Sequence, residues 1–179
     1  MLAVVIIALA AAATPLAQDS TSRVDSLTTA PAPPAPPTPE QVRYAQGLRT
    51  VARGVAQLRD GVDRVVRTQQ GRDTVQQRRA AQRMGGLCAT ARSFITSGRP
   101  RMLPTAYTDS MRIVAQKLVV RIDSILKWLP TCETTARKTP GPVAADLTKR
   151  LQAYDQALLA YRAALAPPKT DSIKTPSQQ

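Results

Sequence analysis

Two cysteines and a cluster of arginines carry most of the chemical potential of this 179-residue chain. Cys88 and Cys132 are its only thiols. In an oxidising compartment two cysteines in one domain most often pair. Closing the intervening loop of about 45 residues would destabilise the unfolded chain by about 4 kcal/mol in the entropy model, so a Cys88–Cys132 disulfide is expected. Arg72, Arg78, Arg79 and Arg83 form the densest basic cluster. Residues 68–104 hold seven basic side chains and one acidic one, Asp73. Phosphate-rich ligands are natural partners for such a surface; a solvated helix face is the simpler reading. Aromatic residues make up 3% of the chain and none interleaves with these arginines. Bases would have no stacking platform, and nucleic acid is not expected as a partner.

The remaining chemistry is sparse. Ser124-Ile125-Leu126-Lys127 has the S-x-x-K spacing of a serine nucleophile with a lysine base. Its companion K-T-G element is interrupted by proline at Lys138-Thr139-Pro140-Gly141, and Ser124 falls within an apolar-periodic helix, so the spacing reads as coincidence. There is no histidine and no asparagine, and glutamate occurs only at Glu40 and Glu133. Without imidazole, two cysteines cannot complete a tetrahedral zinc site of the usual ligand types. No acid, base and nucleophile converge by spacing. We therefore expect no catalytic residues, no metal site, no cofactor and no enzyme activity.

The address is read from the apolar run Leu2–Ala13, the small residues through Ala17 and the polarity that begins at Gln18-Asp19-Ser20. That layout matches a secretory signal peptide over residues 1–17, with cleavage after Ala17 or Ala13. The run is shorter than the roughly 20 residues of a spanning helix. The first basic residue is Arg23, which departs from the usual basic opening. Arginine outnumbers lysine 19 to 6, as in GC-rich bacteria. The expectation is a periplasmic or secreted bacterial protein. The alternative is anchoring in the inner membrane by an uncleaved segment, and membrane contact is expected only then.

These residues need a scaffold, and the pattern supplies one. Residues 18–39 are rich in Pro, Ala, Ser and Thr and read as a disordered linker; residues 167–179 read as a disordered tail. Between them, residues 40–166 are helical. Thr38-Pro39-Glu40-Gln41 is a helix start with a capping box. Tyr44, Leu48, Val51, Val55, Leu58, Val62 and Val65 follow as a heptad seam. Leu147, Leu151, Tyr154, Leu158, Tyr161 and Leu165 form another. Met111, Ala115, Leu118, Ile122, Ile125 and Leu129 define a helix bracketed by Pro104 and Pro130, with Pro140-Gly141-Pro142 marking the next turn. Tyr44, Tyr154 and Tyr161 read as core residues with exposed hydroxyl tips. Asp60/Arg64, Asp63/Arg67 and Asp146/Arg150 read as i,i+4 pairs.

Residues 68–98 allow a break at Gly71 or at Gly85-Gly86. With a break at Gly71 and helix ends flush, Cys88 would lie roughly 21 Å along the helix from Cys132, too far to bridge. The disulfide therefore predicts the break at Gly85-Gly86. The fold expected is all-α: an antiparallel bundle of three to four helices with disordered N- and C-terminal tails.

Such a chain reads as an exported, non-catalytic interaction or structural module of the bacterial cell envelope, its partner a protein or an anionic envelope polymer. One alternative is binding of an anionic envelope polymer or lipid through Arg72, Arg78, Arg79 and Arg83. Another is a periplasmic chaperone or stress adaptor.

Overall fold

The computed structural model describes residues 36–166. The signal segment 1–17, most of the linker 18–39 and the tail 167–179 lie outside the described residues. Four helices make up the rest: α1 (Pro39–Gln69), α2 (Thr74–Gly98), α3 (Asp109–Thr135) and α4 (Pro140–Leu165). Two short 3-10 turns, Arg99–Arg101 and Pro104–Ala106, join α2 to α3. Among the described residues there is no strand, and the expected all-α bundle is what the chain forms.

Each helix packs antiparallel to the next in sequence, and α4 returns beside α1. α1 opens with the anticipated capping box: Thr38 Oγ1 accepts from the Gln41 amide, and the Gln41 side chain accepts from the Thr38 amide at 3.0 Å. Its seam residues are buried except for half-buried Leu48. The α1–α2 contact is closer than apolar patterning alone implies. Gly47, Gly54 and Gly61 recur every seven residues and face Gly98, Ala91 and Met84 of α2, also seven apart. A Cβ on Gly47 would stand 2.7 Å from the Gly98 carbonyl oxygen, and one on Gly54 2.9 Å from that of Ala91. Only a residue without a side chain lets the backbones approach this closely.

The helix break falls at Gly71, not at Gly85-Gly86. α2 begins at its N-cap Asp73, whose carboxylate accepts from the Val75 and Gln76 amides. These bonds, that to Gln76 first, hold the Asp73 carboxyl below the usual carboxylate range. α2 then runs unbroken through both glycines. Cys88 and Cys132 nonetheless stand at disulfide distance, 6.1 Å between Cα atoms, both fully buried. The expectation failed because it set the helix ends flush. α2 and α3 are staggered instead: Cys88, fourteen residues into α2, lies opposite Cys132, three residues from the end of α3. Arg99–Asp123 and Arg92–Glu133 pair in the same register.

Pro130 does not end α3, which continues to Thr135. Proline forfeits one amide near the end of the helix. The turn beyond it is held by buried Cys132 and Ala136 and by the Thr134 and Thr135 hydroxyls, which donate to carbonyls one turn back. Pro140-Gly141-Pro142 is likewise the first turn of α4 rather than a loop, with Pro140 at a position that needs no amide.

The tyrosines are core residues, but their hydroxyls are not exposed. Tyr44 Oη donates to the Ala115 carbonyl of α3 at 3.1 Å. Tyr107, between α2 and α3, shares a 2.6 Å hydroxyl–hydroxyl bond with Tyr161 of α4. The Tyr44 and Tyr161 rings stack at 5.4 Å, and Tyr107 meets both edge-on. Burial pushes the Tyr44 and Tyr161 phenols well above their ordinary range. Tyr154 Oη is buried without a partner.

Candidate anion-binding surface

The chain's net charge of +13 resides entirely on the bundle, where residues 36–166 carry 22 Lys and Arg against nine Asp and Glu. Ion pairs absorb part of it. Arg59 pairs with Asp155 of α4, Arg64 with Asp60 one turn earlier, Arg92 with Glu133 and Arg99 with Asp123. Two of the expected helical pairs do not form. Arg67 Nε donates to the backbone carbonyl of Asp63 at 3.1 Å rather than to its carboxylate. Arg150 turns away from Asp146, stacks over Trp128 and donates to Ser124 of α3.

The four arginines singled out by density divide in the structure. Arg79 and Arg83, one turn apart on α2, line a shallow groove of about 230 Å³ with Gln76 and Ala80; Arg64 and Thr68 of α1 form its other wall. Arg78 is one residue removed from Arg79, about 100° around the helix axis, and does not line the groove. Arg72 lies in the exposed turn between α1 and α2 and does not line it either. Among the described residues neither Arg79 nor Arg83 has a carboxylate within 4.0 Å, the limit for an ion pair.

Arg64 is the member that composition did not reveal, because its neighbours Asp60 and Asp63 dilute the local charge. The glycine row would have found it. Gly61 marks the edge of α1 that meets α2, and a residue three further on shares that edge. The Asp60 carboxylate is bound to Arg64 Nε at 2.9 Å. The hydrogen bond from Arg64 holds Asp60 below the usual carboxylate range, and the nearby charges of Arg83 and Arg67 act in the same direction. Asp60 thus neutralises Arg64 from within the chain, whereas among the described residues Arg79 and Arg83 have no carboxylate partner.

Ser124 and Lys127 share one face of α3, yet Ser124 Oγ accepts from Arg150 Nη1 at 2.9 Å. No helix among the described residues is long and apolar enough to cross a membrane. No three of their Cys, Asp and Glu side chains are grouped as metal ligands. Comparison with protein-family models, with curated proteins and with solved structures returns no match for this chain.

Proposed function

We propose that this chain is a non-catalytic, exported helical module of the bacterial cell envelope that binds an anionic envelope polymer along the α1–α2 face. The observation that carries the reading is the meeting of Arg64, Arg79 and Arg83 around one groove, with two of the three guanidiniums free of carboxylate partners. Export is supported by the apolar N-terminal run and by a buried cysteine pair at disulfide distance, which suits an oxidising compartment. A polymer is favoured over a lipid surface by what surrounds the arginines. Near the α1–α2 turn the exposed large apolar side chains are Val66 and Val75. Insertion at a membrane interface relies on Trp, Phe or Leu.

The test compares two charge-matched double variants on immobilised heparin across a salt gradient. Arg79→Gln with Arg83→Gln empties the groove, whereas Arg72→Gln with Arg78→Gln removes the same charge outside it. The groove variant should elute at distinctly lower salt than the control, because each lost phosphate- or sulfate-type contact reduces the salt dependence of binding. Equal shifts for both would reduce the effect to net charge and refute the groove. Vesicles of anionic lipid provide the second arm, and groove-dependent capture there with none on heparin would overturn the choice of polymer.

A further inference from the structure

A second pocket of about 370 Å³ lies between α3 and α4, with none of its walls on α1 or α2. Ser124, Lys127, Trp128 and Thr131 of α3 and Arg150 of α4 line it. The α3 positions are spaced i, i+3, i+4 and i+7, so a single face of one helix presents all four. The lining holds two cations, two hydroxyls and the only tryptophan in the chain, with no carboxylate.

Arg150 is fixed in place. Its guanidinium carbon sits 5.3 Å from the centre of the Trp128 ring, and Nη1 donates to Ser124 Oγ at 2.9 Å. Arg59, Arg64, Arg92 and Arg99 are each taken up by a carboxylate, but Arg150 is not, and its buried Nε has no partner. Because Ser124 Oγ accepts from Arg150, its own proton is available to another acceptor. A guanidinium held in one orientation loses little freedom on binding, and its planar donors match carboxylate and phosphate oxygens. Lys127 adds a second positive charge at the rim.

From this convergence we propose that the α3–α4 pocket binds a small ligand through an oxyanion, a phosphate or a carboxylate, gripped by Arg150 and Lys127 with the Ser124 hydroxyl as a third donor. The site is separate from the α1–α2 groove and does not depend on it.

Trp128 is the reporter. The full chain is titrated with inorganic phosphate, glucose 1-phosphate, acetate and glucuronate at ionic strength held constant with sodium chloride, while tryptophan fluorescence is recorded. A saturable change with any of these probes is expected. The ester and the sugar acid, set against the bare ions, show whether the sugar adds to the oxyanion. Lys127→Gln should weaken binding by about tenfold or more, the loss of one charge-assisted contact. Lys127 is exposed, so this variant keeps the fold. Arg150→Lys should weaken binding at least as much, and Arg79→Gln with Arg83→Gln should leave it unchanged. A response that sodium chloride reproduces, the absence of saturation with every probe, or an affinity indifferent to Lys127→Gln would overturn the proposal.

Discussion

Replacing glycine by alanine should have opposite effects at two positions of this bundle, and the α1–α2 contact sets the sign. In a helix, alanine is favoured over glycine by about 1 kcal/mol. At Gly86 an added Cβ meets nothing within 4 Å, so Gly86→Ala should realise that gain in full. At Gly54 the same atom would stand 2.9 Å from the Ala91 carbonyl oxygen and 3.1 Å from Ile95 Cγ1 and Phe94 Cβ. A comfortable C···O approach is about 3.3 Å, and a backbone oxygen cannot rotate away. The helices must therefore separate by about 0.4 Å, loosening the flanking contacts at Gly47 and Gly61 as well. Overpacking of this kind costs about 1–3 kcal/mol. Set against the helical gain, Gly54→Ala should lose up to about 2 kcal/mol net, while Gly86→Ala gains about 1 kcal/mol. At this domain size that is a fall in Tm of up to about 10 °C against a rise of about 3–5 °C. Gly61→Ala should lie near zero, because the atoms in its way, the Met84 sulfur and Leu87 Cδ1, belong to flexible side chains rather than backbone. Thermal and urea melts of the oxidised protein measure all three. If Gly54→Ala raises Tm as Gly86→Ala does, the close approach of α1 and α2 is refuted.

Two further outcomes follow from the buried groups. Converting Cys88 and Cys132 to alanine should cost about 4 kcal/mol, read as a lower urea midpoint that matches wild type under reduction; an unchanged midpoint would mean the staple adds nothing. Tyr44 and Tyr161 hold their protons more tightly folded than unfolded, so their contribution is fully present below the unfolded phenol pKa of about 10 and is lost as pH rises beyond it. Melts between about pH 9 and 11 should show a decline that Tyr161→Phe makes shallower, and an identical slope in that variant would contradict the cause.

Periodicity made the long apolar seams legible. α1 and α4 bury most of the residues that heptad spacing selects, although Leu48 and Leu158 are half-buried and Leu165, at the end of α4, is exposed; the Thr38 cap starts α1 where its side-chain chemistry predicts. What stayed hidden was carried by residues with no hydropathy signal. Gly47, Gly54 and Gly61 leave no apolar mark, although they set how closely α1 and α2 approach. Gly85-Gly86 resembles a break, yet a helix tolerates glycine when both flanks are packed. Pro130 resembles a stop, but near a helix end it removes only one bond. Stagger between helices is a property of the connection, and the two 3-10 turns around Met102 were invisible to patterning. Tyr107 was missed for the same reason: it belongs to no periodic segment and enters the core from a loop. At the basic face, density of charge found Arg79 and Arg83 but could not separate them from Arg72 and Arg78, because charge density carries no angular information.

The even number of helices among the described residues also settles how the bundle can be handled. α1 begins where α4 ends, so Pro37 and Leu165 line one hollow together. The arginine groove at Arg64 lies about 25 residues further along α1, roughly 38 Å from that pole at 1.5 Å per residue. A bead, a sensor surface or a fused reporter attached at Pro37 or Leu165 would sit at the pole away from the groove and leave it open to solution. Attachment through the turn at Gly71 would crowd it. Grafting at that turn is therefore a way to obstruct the groove without altering a single arginine.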